Sequence, residues 1–185
     1  MLTEDYIMRM ISQALAVIMT ALGLKRSRKY KEALETFDQA VEGLLGLNAS
    51  LVNQLDEGSL MRMLIVRERF DAERAKILAD IYLEQSELHT LLNQPDDSQF
   101  MAKRSLRLYL EVFLVSEGDT QAELIQQIEM LRSKVAVTNL QVETRLAVQD
   151  YLDRMLSYDD DKLSGVKLSK TSLQADLELI EKLGI

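Results

Sequence analysis

The 185-residue chain has no cysteine and no tryptophan, one histidine, one proline and only seven glycines. Each shortage removes a class of protein. Without cysteine there are no disulfides, no thiolate zinc sites and no thiol nucleophile. With His89 as the sole imidazole, a catalytic triad or a histidine-rich metal site lacks its partners. No Asn-Gly or Asp-Gly pair occurs to turn a tight β-hairpin, and no glycine-rich phosphate loop or nucleophile motif is present. Positive charge is also in short supply. The net charge of −8 repels nucleic acid and anionic lipid on average. We therefore expect no cofactor, no metal, no specific nucleic-acid partner and no membrane.

What remains is helix-forming. Apolar residues make up 47% and charged residues 28%, the balance of a globular protein. Leu, Glu, Gln, Met and Ala, all good helix formers, dominate. The apolar-rich stretch from Asp5 to Leu24 invites a check for a targeting or spanning segment. Glu4 and Asp5 stand where a signal peptide has basic residues, and Arg9, Ser12 and Gln13 interrupt the apolar run. The stretch reads as a core helix covered on more than one side, and the chain as cytoplasmic.

Apolar spacing and stop signals predict eight helices in one domain, 1–185, with a repeat-like part over 1–115 and further helices over 116–185. The first helix covers about 3–22, capped by Thr3 and stopped at Gly23. The second covers 28–46 and ends at Gly46. "NASLVNQL" is a short helical turn. Ser59 caps a helix over 60–69, and Asp71 caps another over 72–92. "NQPDDS" is a loop, followed by a helix over 97–115 that "SEGDT" closes. Helices over 120–134, 138–157 and 172–183 follow, the last with capping-box spacing between Thr171 and Gln174. Short connections between helices favour antiparallel neighbours, so the expected fold is an all-α array of α-hairpins.

Tyr30, Ala33, Phe37 and Ala40 alternate aromatic and small residues along one helical stripe, and Val41 extends it. Leu78, Ala79 and Tyr82 form a second such group, followed downstream by Ser105 and Tyr109. These spacings resemble the helix pairs of tetratricopeptide repeats, in which small residues let helices approach and aromatics fill the space beside them. No strict 34-residue period is present. "DYIMRMI", "GLLGL" and "ILADIYLE" are also similar to an uncharacterised family of small bacterial helical proteins with no assigned activity. That resemblance implies a helical fold and a bacterial cytoplasm.

The remaining polar groups have plain readings. His89 suits the end of a helix, and no Glu-x-x-His spacing surrounds it. Asp159, Asp160 and Asp161 are consecutive, whereas calcium loops alternate their oxygens, so they read as a solvated turn. Arg62, Arg67, Arg69, Arg74 and Lys76 read as surface ion pairs with Glu68, Asp71 and Glu73. The turn "KRSRKYK" gathers Lys25, Arg26, Arg28, Lys29 and Lys31 and is the candidate site for an anion or an acidic partner. The leading expectation is a non-catalytic module that binds a protein or peptide. A ligand sensor or enzyme with a pocket between helices is the second, and a structural homo-oligomer is the third.

Overall fold

The structure, a computed structural model, describes residues 4–116 and 121–183. The fold is all-α. Ten α-helices lie among the described residues: α1 (Glu4–Arg26), α2 (Tyr30–Leu45), α3 (Ala49–Gln54), α4 (Glu57–Met63), α5 (Ala72–Leu91), α6 (Pro95–Val115), α7 (Gln121–Lys134), α8 (Val142–Leu156), α9 (Asp160–Gly165) and α10 (Lys170–Lys182). One 3₁₀ turn (Val137–Asn139) precedes α8. The chain separates into two compact units, Met1–Ser105 and Leu106–Ile185, with the boundary inside α6.

In the first unit α2 packs against both α1 and α5. Its buried stripe of Ala33, Phe37, Ala40, Val41, Leu44 and Leu45 explains why. Each large member buries an apolar side chain worth about 1.5–3 kcal/mol. The three-residue turn between α1 and α2 makes them antiparallel neighbours. In the second unit α8 packs against α10. Tyr151, Leu152 and Met155 of α8 and Leu173 and Ile180 of α10 are buried there.

With few glycines, the chain stops its helices in other ways. Gly46 ends α2 in the left-handed region, φ 67°. At α1, α5 and α9 the left-handed position falls instead on Arg28 (φ 59°), Asn93 (φ 58°) and Lys167 (φ 61°). Each end carries the paired backbone bonds of a Schellman motif: at α1, Lys29 N–H donates to the Leu24 carbonyl and Arg28 N–H to that of Lys25, both at 3.0 Å. Hence α1 runs three residues past Gly23, the expected stop.

Several expected caps move. Asp56, not Ser59, caps α4: it accepts from the Ser59 N–H at 2.7 Å and from its hydroxyl at 2.9 Å. Those bonds hold the Asp56 carboxyl below its usual range. Ser169, not Thr171, caps α10 through the Ser172 N–H. Asp71 caps α5 as expected. Pro95 lies inside α6 as its first residue, the helical position that tolerates a missing N–H. The polar stretch after α8 contains α9, capped by Asp159. Thr3 and residues 117–120 fall outside the described residues.

The expected helix over 60–69 ends at Met63, and a two-residue antiparallel ladder follows, Ile65–Val66 (β1) with Arg69–Phe70 (β2). The turn residues Arg67 (φ 50°) and Glu68 (φ 63°) are both left-handed. That is the type I′ pattern, without its usual Asn-Gly. A left-handed side-chain residue costs about 1–2 kcal/mol. Replacing Arg67-Glu68 by Asn-Gly is therefore expected to stabilise the chain by about 1 kcal/mol, read as a higher denaturant midpoint at constant slope.

Candidate functional site

The basic turn sits at the exposed tip of the α1–α2 hairpin. Lys25 is committed inward: its Nζ donates to Glu84 at 2.5 Å and Glu87 at 2.6 Å on α5. Burial opposes its charge, but the two carboxylates outweigh burial and raise its pKa. Arg26, Arg28, Lys29 and Lys31 are exposed. Among these four, only Lys29 has an ion pair among the described residues, a loose one to Glu32 at 3.2 Å. Lys29 is also the N-cap of α2, and that end has no side-chain cap bond among the described residues. Unbonded N–H groups and three unpaired cations thus share one tip, an arrangement that attracts anions.

The repeat-like residues are core. Ala33, Phe37, Ala40, Leu78, Ala79 and Tyr82 are fully buried, and Tyr30 is half-buried. The small Ser105 is buried too, and its hydroxyl donates to the Ala79 carbonyl at 2.8 Å. About two turns further, Ser86 and Ser98 exchange hydroxyl-to-carbonyl bonds of 2.9 Å. Small polar side chains thus join α5 to α6 within the first unit.

Three arginines have a role that the sequence reading did not assign. Arg74, read as a surface residue, is buried. Its Nε donates to Asp71 at 2.9 Å, its Nη1 to the Leu44 carbonyl at 3.2 Å and its Nη2 to the Met63 carbonyl at 2.9 Å. Arg104 donates to the carbonyls of Asn53 (3.1 Å) and Leu55 (2.7 Å) and lies over the Phe100 ring, 4.7 Å from its centroid. In the second unit Arg154 donates to the carbonyls of Phe113, Leu114 and Ser116 at 2.8–3.1 Å. All three guanidinium groups satisfy carbonyls that a helix end leaves unbonded. They are structural clamps rather than ligand-binding cations.

Beside Arg104, the Tyr82 hydroxyl and Gln85 Oε1 are buried without a hydrogen-bond partner. Gln85 Nε2 donates to Asp38 at 2.7 Å. Burial pushes the Asp38 carboxyl above its usual range, against the Gln85 bond that lowers it. A carboxyl raised by folding contributes stability below its unfolded pKa and loses it as pH rises through the folded value. Asp38→Asn is thus expected to stabilise the protein at pH 7, with the gain shrinking to nothing as the pH falls below the unfolded carboxylate range. Urea midpoints across pH 3–7 check this; a variant less stable at pH 7 than at pH 4, relative to the parent, contradicts it.

The cavity of the second unit adds no reactive centre among the described residues. A cavity of about 190 Å³ in the second unit is lined mainly by Val135, Val137, Leu140 and Val148, with Arg132 and Asp176 as its charged members. Those two bind each other at 2.7 Å, and Arg132 also holds Glu129 at 2.5 Å. Burial works against the Arg132 charge, but the carboxylates raise its pKa nonetheless. Tyr151 donates to Glu129 at 2.8 Å, and burial raises its phenol far above the usual range. The charges are mutually satisfied. Among the described residues no three His, Asp or Glu side chains are grouped to hold a metal. His89 meets Gln94 at 2.8 Å on the last turn of α5.

The first helix differs from its sequence reading. It is long and apolar enough to cross a membrane, with a mean hydropathy of 1.7 over its most apolar window, but only 22% of that window is buried. Met10, Ile11, Ala14 and Ala21 form one buried stripe, while Met8, Leu15 and Met19 are exposed. The helix is covered on one side, not on several.

Comparison with known protein families, curated proteins and solved structures finds no match for this chain.

Proposed function

We propose that the chain is a non-catalytic helical-repeat-like module of the cytoplasm that binds an acidic protein or peptide at the α1–α2 tip. The observation that supports this most directly is the α2 N-terminus: no side chain caps it, and Arg26, Arg28 and Lys31 stand exposed around it. Elsewhere in the chain the buried arginines Arg74, Arg104 and Arg154 bind backbone carbonyls. The tip cations have no such employment. Arg28 even occupies a left-handed position that glycine would fill with less strain. Steering by such a tip speeds association and makes it depend on salt.

The test is binding of a fluorescein-labelled poly-glutamate peptide, followed by anisotropy across salt concentration. Arg28→Glu with Lys31→Glu is expected to weaken binding and to flatten its salt dependence. Lys25 stays untouched because its substitution breaks the pairs to Glu84 and Glu87. Unchanged binding and unchanged salt dependence in the double variant remove the tip from consideration.

A further inference from the structure

The exposed face of α1 has an internal symmetry; at its N-terminal end Asp5 and Met8 also line a cleft with Val66, Arg67 and Arg69 of the β1–β2 hairpin. Asp5, Met8, Ser12, Leu15, Ala16, Met19, Gly23 and Arg26 are all exposed, and their spacing places them on one side of the helix. This stripe runs beside the buried Met10, Ile11, Ala14 and Ala21. On its far side lie the exposed polar residues Arg9, Gln13 and Thr20. Read outward from the midpoint between Leu15 and Ala16, each large residue mirrors a small one: Leu15 with Ala16, Met19 with Ser12, Met8 with Gly23. The last mirrored pair is Asp5 with Arg26, opposite charges at opposite ends. Neither makes an ion pair among the described residues, and nothing lies within 4 Å of the place where a Gly23 Cβ would stand.

We infer that this face docks on the same face of a second copy of the chain, with the two α1 helices antiparallel about a two-fold axis at the Leu15–Ala16 midpoint. Antiparallel pairing brings each mirrored pair level. Large side chains then enter the spaces over small ones, as close helix packing requires. Asp5 of each copy meets Arg26 of the other, twice. A parallel pair instead sets Asp5 against Asp5 and Arg26 against Arg26. A two-fold interface is self-complementary by definition, and the sequence of this stripe has that property. A lipid surface needs no alternation of size and no charge antisymmetry. The inference shares Arg26 with the α1–α2 tip, but Arg28 and Lys31, the residues changed in the peptide-binding test, take no part in the pairing.

The absence of cysteine makes the geometry testable with single introduced thiols. In the antiparallel pair, the two copies of residue 16 lie about 1.5 Å apart along the axis, while the two copies of residue 8 are separated by about 22 Å. Ala16→Cys is therefore expected to give a disulfide-linked dimer on mild oxidation, and Met8→Cys alone to give none. A mixture of Met8→Cys and Gly23→Cys chains is expected to cross-link. In light scattering the parent is expected to have twice the mass of one 21.1 kDa chain. Arg26→Asp is expected to give single chains, and adding Asp5→Arg to it to restore the pair. A single-chain mass for the parent at about 100-fold the concentration of the Arg26→Asp measurement overturns the inference. So does cross-linking of Met8→Cys with itself, which marks a parallel pair. A single chain that sediments with phosphatidylcholine vesicles overturns it in favour of a bilayer.

Discussion

Arg74→Met is expected to destabilise the protein by about 3 kcal/mol, far more than a surface arginine is worth. Methionine keeps most of the aliphatic volume but removes the fork. The carbonyls of Leu44 and Met63 then lose their donors, and Asp71, only 12% exposed, loses its counter-charge. An unsatisfied buried polar group costs about 1–3 kcal/mol, and breaking a buried pair by removing one partner costs about 3–5 kcal/mol. Arg69→Met, at an exposed position of β2, serves as the control and is expected to fall within about 0.5 kcal/mol. Adding Asp71→Asn to Arg74→Met removes the stranded charge while keeping a side chain able to cap α5, so part of the loss should return. Denaturant midpoints measure all three. A loss below about 1 kcal/mol in Arg74→Met excludes the clamp as a principal support of the α2, α4 and α5 ends.

The helices themselves were legible because their periodicity is local. The α2 stripe lies within sixteen residues, and the Asp71 cap lies beside the helix it starts. Arg74 was misread for the same reason. Its near neighbours Asp71 and Glu73 suggest a solvated ion pair, whereas its other acceptors, Leu44 and Met63, are 30 and 11 residues away. One local signal existed: Arg74 is four residues before Leu78, in register with the buried side of α5, and Gln85 is three after Tyr82. A polar residue on an apolar stripe marks a buried partner. The clamp also satisfies a carbonyl at the end of α4, near Met63, where no glycine or proline stops the helix.

The candidate site was only partly legible. Clustering of Lys25, Arg26, Arg28 and Lys29 is visible in seven residues of sequence, but the inward commitment of Lys25 depends on Glu84 and Glu87, about sixty residues on. The open face of α1 was hidden by its composition. Apolar residues around most of a helix signify coverage on most sides, yet α2 and α5 cover α1 along one stripe only. Composition states what a helix can bury. The rest of the chain determines what it does bury.

Ala33→Leu and Ala40→Leu are each expected to cost about 1–3 kcal/mol. Both alanines are wholly buried on α2, beside the equally buried Phe37. Three added carbons at either position must displace a neighbouring helix or force side chains from their rotamers, and overpacking of that kind has this cost. Helix propensity cannot account for such a loss, because leucine is nearly as good a helix former as alanine. The proper controls are Glu35→Leu and Gln39→Leu, exposed on the same helix and expected to be close to neutral. Glu42, which sequence alone places on the outer face, is not a control. Its carboxylate accepts from Asn48 Nδ2 at 2.8 Å and from the Ala49 N–H at 3.1 Å, so it holds the start of α3. If the alanine variants match the two controls in denaturant midpoint, the small residues do not set the packing of α2. The proposed likeness of the α1–α2 hairpin to a repeat then loses its physical basis.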